Sequence, residues 1–384
     1  MNRALPLLFV LFLFLPLSVR AEEADEDDLQ YLTLRAGLGV GARYMIPTTT
    51  DDRDERRDNM GQLDGYIRSA YFALRSDMAN RTFAWINLGL RQSEGADISD
   101  RDDPNDDRLV LTLSSAGLRA VPATWFGLEA GVVRSPWDRV SSKAWGETHV
   151  SYAPARRYGF VPESDLGLSA FGEVPLPVVP FAYGVSVTNG ESDQRREDER
   201  YKAVEGQVSF RPLRWCRPLR RIGASLGYGY RLIDDPPGDS RRDNHFFGFL
   251  MSHRGGLVRL GVEVDLLLRR YESDVAPYPA GLLGTYGLLA VTPNCWVFVR
   301  TDFLDSDLRN ESNRESTAGS LRSDRQLRSD EDGRLYARSG VDLSVHGPFN
   351  LVPFVEAVFY QEPGPGGGVI APTVTMNLLA YLQF

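Results

Sequence analysis

The chain contains four histidines, His149, His245, His253 and His346, and two cysteines, Cys216 and Cys295. A nucleophile with its base, or a metal site, would be built from these residue types. Their spacing builds neither. The cysteines belong to no CxxC and no Cys/His cluster. His245 and His253 share one face of a strand, but an i, i+8 separation spans about 26 Å, too far for one ion. No GxSxG, HExxH or paired-carboxylate motif rises above chance. The sequence predicts no catalytic residue, no metal and no cofactor, hence no enzyme. In an oxidising compartment the two cysteines could pair.

The remaining chemistry is that of charge. Arg35, Arg43, Arg221, Arg231, Arg259, Arg269, Arg300 and Arg338 stand at alternate positions between apolar residues. So do Glu129, Glu205, Glu263, Asp265, Asp302, Asp342 and Glu356. Fixed rows of guanidinium and carboxylate groups act on passing ions without reacting with them. The two signs nearly balance, which predicts a transverse field across a bore rather than a uniformly positive lining.

These rows require strands. In "YLTLRAGLGVGARYMI", Leu32, Leu34, Ala36, Leu38, Val40 and Ala42 fall on one face, and Arg35, Gly37, Gly39, Gly41 and Arg43 on the other. The GxGxG run resembles a phosphate loop, but it keeps the strand phase and no helix follows. The same period of two recurs in "RIGASLGYGYRLI", "LVRLGVEVDLLLRR", "CWVFVRTDF" and "LYARSGVDLSV". The final "TVTMNLLAYLQF" repeats it through Val374, Met376, Leu378, Ala380 and Leu382. A soluble sandwich also alternates. Here, however, the charges sit deep within strands longer than usual. Connectors also alternate in kind. Short ones such as "VPATW", "HRGG" and "TPN" take turns with long polar ones at Pro47–Gly61, Ser93–Asp107, Gly190–Arg200, Asp234–Asp243 and Asp305–Asp332. Short turns at one end and long loops at the other are the signature of a transmembrane barrel. A bilayer core holds no water for free backbone groups, so a spanning sheet must close on itself. About sixteen segments of spanning length are present, and a barrel of that size encloses a channel.

The ends and the charge agree with export. Met1 to Ala21 carries Arg3, an apolar run, then "SVRA", the pattern of a cleaved signal peptide. The barrel domain would be 22–384. Without Arg3 and Arg20 the formal charge of −9 becomes −11, which argues against nucleic acid as a partner.

The middle of the chain, about Leu118 to Leu213, resembles the phosphate-selective porin O/P family of bacterial outer membranes. The stretches that carry the resemblance are "LEAGVVRSPW", "GFVPESDLGLSAFGE" and "VPFAYGVSVTNGES". Gly131, Arg134, Pro136 and Trp137 match one motif in kind; Pro162, Asp165 and Gly167 match the next; Thr188, Asn189 and Gly190 match the third. Val132, Glu163 and Ser164 depart from the pattern. The resemblance implies that the loop from Ser135 to Ser164 folds inward and narrows the bore. Arg139, Lys143, His149, Arg156 and Arg157 would then line a constriction; otherwise the loop projects into solvent. It also implies a homotrimer. Phe384, at the end of an alternating strand, resembles the signal by which the barrel assembly machinery recognises its substrates.

The sequence therefore predicts an all-β transmembrane antiparallel barrel of about sixteen strands in the bacterial outer membrane. Its expected partners are outer-membrane lipid and small ions or solutes. Its expected function is passive diffusion of small hydrophilic solutes, with a possible anion or phosphate preference. The competing reading is a barrel whose charged outer loops bind or adhere to a partner.

Overall fold

A computed structural model describes residues 32–46, 63–78, 81–92, 109–176, 179–190, 202–217, 219–235, 240–271, 278–305, 308, 334–346, 348–360, 363–364, 368–369 and 372–383. The expected signal peptide, most of the long connectors and Phe384 lie outside them.

The alternating segments become the strands β1 (Leu32–Ile46), β2 (Leu63–Met78), β3 (Thr82–Gln92), β4 (Leu109–Ala123) and β5 (Phe126–Arg134). Then follow β6 (Ser164–Val174), β7 (Phe181–Thr188), β8 (Ala203–Phe210), β9 (Ile222–Asp235) and β10 (Ser240–Arg254). The rest are β11 (Val258–Tyr271), β12 (Tyr278–Thr292), β13 (Cys295–Asp305), β14 (Arg334–His346) and β15 (Phe349–Tyr360). A two-residue pair, β16 (Pro363–Gly364) with β17 (Gly368–Val369), precedes the last strand, β18 (Thr373–Gln383). Every long strand pairs antiparallel with its sequence neighbour, and β18 closes on β1 through Leu38↔Leu382 and Val40↔Ala380. The product is a closed barrel of sixteen strands, with no unpaired edge.

Register carries one side-chain phase around the ring, because directly opposed residues share a face. Glu129 faces Ser169, Ser169 faces Ser186, and Ser186 faces Glu205. Farther round, Arg300 faces Arg338 and Arg338 faces Glu356. The opposite phase is apolar and exposed: Leu128, Leu168, Val185, Leu226, Phe249, Leu260, Val264, Leu283, Val299 and Met376 all present side chains outward. In water such a surface would aggregate; in a bilayer it is the lipid face. Trp125 and Trp215 stand exposed at short connectors, and Tyr228 and His245 face outward nearer the long ones. That is the placement of interfacial aromatic girdles. Val264 lies mid-strand on this face, 45 % exposed. Val264→Arg should weaken refolding into lipid by about 2–4 kcal/mol, measured by denaturant titration in vesicles. An unchanged midpoint would take this face out of the hydrocarbon.

Two expectations change, and the alternative left open for the cysteines closes. β9 runs on to Asp235 and β10 starts at Ser240, so most of Asp234–Asp243 is paired strand rather than loop. Arg221 precedes β9 in an exposed turn instead of standing within the strand. The cysteines are both free. The phases of β2 and β4, ambiguous in sequence, are also settled. Thr33 faces Arg75 and Phe83 faces Arg119, so both arginines share the inward phase of Arg35.

Candidate functional site

The segment between β5 and β6 is the one long connector described in full. It begins with α1 (Pro136–Trp145) and includes α2 (Pro154–Arg157). Helix α1 starts where Ser135 accepts the Asp138 amide at 3.1 Å and Pro136 supplies a fixed φ. It ends at Gly146, whose φ of +85° suits glycine.

Inward-phase carboxylates hold α1. Glu205 Oε1 accepts both the Ser135 hydroxyl and the Trp137 amide at 2.6 Å, a negative charge set against a helix amino terminus. The Ser141 hydroxyl donates to Glu263. Between these anchors lies Trp137, 0 % exposed. Cβ atoms built on Gly227 and Gly248 would approach its ring to 2.4 and 2.5 Å, so the wall is bare of side chains where the indole rests. Trp145 packs edge-on against Tyr286 and Phe298. With Val150, Phe160, Phe246, Leu250, Leu282 and Phe354 these rings form one buried cluster inside the barrel. Apolar patches therefore interrupt the charged rows of the inner wall where the rings of the segment rest.

Two buried arginines fasten the rest of the segment. Arg300 donates to the Tyr152 carbonyl and pairs with Asp302 at 2.6 Å, both side chains being wholly buried. Arg338 donates to the Val150 carbonyl and to Glu356. Pro154 rests over Gly284. The segment thus folds into the barrel and lies along β7 to β15, reaching β18 at His149 and leaving β1 to β3 uncovered.

The opposite wall stays open. Arg35, Arg43 and Arg75 face inward by register and are exposed. Arg119 and Arg139 sandwich Glu129 at 2.5 and 2.7 Å, joining this wall to α1. Lys143, in the last turn of α1, is exposed.

Outer-membrane channels share this architecture. An anion-selective porin from Comamonas acidovorans superposes with a TM-score of 0.62 at 10 % identity, over 93 % of this chain and 100 % of that one. The outer-membrane channel DcaP of Acinetobacter baumannii gives 0.53 at 10 % identity, over 92 % and 97 %. The trimer form of OmpT, an outer-membrane protein of Vibrio cholerae, gives 0.56 at 9 % identity, over 93 % and 100 %. These likenesses are of fold. No protein-family model matches the sequence, and no curated protein matches it.

Most of the residues singled out in sequence fall into four groups. Arg35, Arg43 and Lys143 are on or beside the open wall, with Arg139 spanning to it. Glu205, Glu263, Asp265, Arg269, Arg300, Asp302, Arg338 and Glu356 lie on the wall that the segment covers, and Arg231 faces Ala203 there. Arg156 pairs with Glu163 of its own segment. Arg157 stacks on Tyr336 at 3.7 Å and meets Glu356 at 3.5 Å. These two arginines secure the segment rather than extend from it.

His149, Asp342 and Arg259 meet at the end of the barrel that bears the short turns. They border a cavity of about 390 Å³ together with Glu147, Trp296 and Tyr381. Burial, with Asp342 beside it, pushes the Glu147 carboxyl up to about 7 against the pull of His149 and Arg259. Glu147, Arg75 and Arg119 were not recognised in sequence. The first sits in an irregular turn, and the others in strands of ambiguous phase.

Proposed function

We propose that the protein is a porin of the bacterial outer membrane, a water-filled channel for passive diffusion of small hydrophilic solutes that favours anions. The observation that carries the reading is that arginines facing inward from β1 and β2 are exposed, so the bore has an accessible wall. That wall bears Arg35, Arg43 and Arg75, with Arg119, Arg139 and Lys143 beside it. Two of its acidic members are paired, Asp77 with Arg75 and Glu129 with Arg119 and Arg139, and Asp64 stands opposite Arg43 in the register. The nearly even count of inward charges misleads because most inward carboxylates lie beneath the folded segment. Guanidinium groups suit oxyanions, and the motif resemblance to phosphate-selective porins makes phosphate the first solute to try. Assembly as a homotrimer is in keeping with the trimer form of a structural neighbour.

The test is single-channel conductance of the refolded protein in a planar bilayer, under a salt gradient, with phosphate as competitor. Steady conductance with a reversal potential of anion sign is expected, and phosphate should lower the chloride current. A correctly folded barrel that passes no current would overturn the channel reading and favour binding through the outer loops.

A further inference from the structure

We propose that Glu147, His149 and Asp342 form a binding site for one divalent transition-metal ion of the Zn²⁺ class, open to the cavity at the short-turn end of the barrel. One ligand atom from each residue can be chosen so that all lie within 4.8 Å of one another. His149 Nε2 is 3.5 Å from Glu147 Oε2 and 3.3 Å from Asp342 Oδ2. Ligands around a tetrahedral zinc ion, at bond lengths of about 2.0–2.2 Å, stand about 3.3–3.5 Å apart. Both separations from Nε2 match such an ion, and the two carboxylates lie within 4.8 Å of each other.

Hydrogen bonding gives a second, independent reason. Neither short contact of Nε2 has hydrogen-bond geometry, so this buried nitrogen has no hydrogen-bond partner. Asp342 Oδ1 is buried and unpartnered as well, in a residue only 8 % exposed. Buried polar atoms are rarely left so, because each costs about 1–3 kcal/mol. A cation between the three side chains would satisfy them together.

The surroundings fix the ligands. Gly146, with its positive φ, turns the chain out of α1 so that Glu147 and His149 follow in one turn. The His149 ring stacks on Tyr381 of β18, centroids 5.0 Å apart. Asp342 projects from β14, whose register places it opposite Trp296. Arg259 is the competing cation, with Nη1 4.0 Å from Glu147 Oε1. That distance is the limit of an ion pair, and the guanidinium is also engaged over the Trp296 ring at 4.6 Å. One imidazole and two carboxylates make a borderline donor set that suits Zn²⁺ better than Ca²⁺. A fourth position, toward the cavity, is left for water.

The test is equilibrium dialysis of the refolded full chain against Zn²⁺. This reads the site whether or not the barrel conducts. One tight equivalent per chain is expected, at least tenfold weaker in His149→Gln and in Asp342→Asn and unchanged in His253→Gln. His253 lies on β10, outside the cluster. Absence of a tight equivalent in the unsubstituted protein would overturn the proposal. So would an equivalent retained by either substituted, correctly folded barrel.

Discussion

Replacing Arg35, Arg43 and Arg75 together with Glu should reverse the sign of the reversal potential, turning an anion-favouring channel into a cation-favouring one. All three side chains are exposed and face inward from β1 and β2. Arg75 pairs with Asp77, half-exposed at 49 % and 36 %, and that contact contributes little to stability. Folding should therefore be spared while each substitution inverts a unit charge on the accessible wall. Screening sets the magnitude. The Debye length is about 10 Å at 0.1 M salt and about 3 Å at 1 M, so the change should be several-fold in permeability ratio at low salt and should shrink at high salt. Arg156→Gln is the contrasting case. Its guanidinium is engaged by Glu163 and by the Tyr152 ring, so the reversal potential should stay where it was. A potential unmoved by the triple substitution would place the ion path elsewhere than along β1 and β2.

The contrast shows what the sequence can and cannot disclose. Alternation with a period of two is a local property, and it placed Leu260, Val264 and Met376 on the outer face and Glu263, Arg300 and Arg338 on the inner one without knowledge of any partner. Strand number followed from counting the segments of spanning length. What lies over the inner face is not local. Arg300 and Arg35 have the same phase in their strands, yet one is wholly buried beneath Tyr152 and the other is exposed. The difference is made by a segment some 150 positions distant from Arg300 in sequence. Two signals could have shown the covered side in advance. Gly227 and Gly248 face each other across β9 and β10 and leave room for Trp137. The inward phase of β12 reads Ala280, Leu282, Gly284, Tyr286 and Leu288, an apolar row unsuited to water. The cluster of Glu147, His149 and Asp342 had no comparable signal, because it joins a turn to a strand nearly two hundred residues later.

That covering also decides what happens when it is released. Trp137→Ala combined with Trp145→Ala should raise single-channel conductance, add open-channel noise and move selectivity toward cations. The two indoles are 0 % exposed and form the centre of the apolar cluster between segment and wall. Removing a buried Trp costs about 3–5 kcal/mol, and because both belong to one cluster their effects should not simply add. The barrel should survive, since its ladders close through β1 and β18 without using the segment. The segment should not stay in place. Its remaining ties are chiefly polar: Glu205 to the start of α1, Glu263 to Ser141, Arg139 to Glu129, Arg157 to Glu356, and Arg300 and Arg338 to two carbonyls. Once it swings free, Glu263, Asp265 and Asp302 meet water on a wall that had been sealed. Arg231, Arg269, Arg300 and Arg338 share that wall, but Glu205, Glu263, Asp265, Asp302 and Glu356 outnumber them and would offset the arginines opposite. Greater conductance with weaker anion preference is thus the joint signature of a displaced segment. Greater conductance with unchanged preference would mean that the covered carboxylates do not reach the ion path. Unchanged conductance in a folded barrel would mean that another element sets the narrowest point.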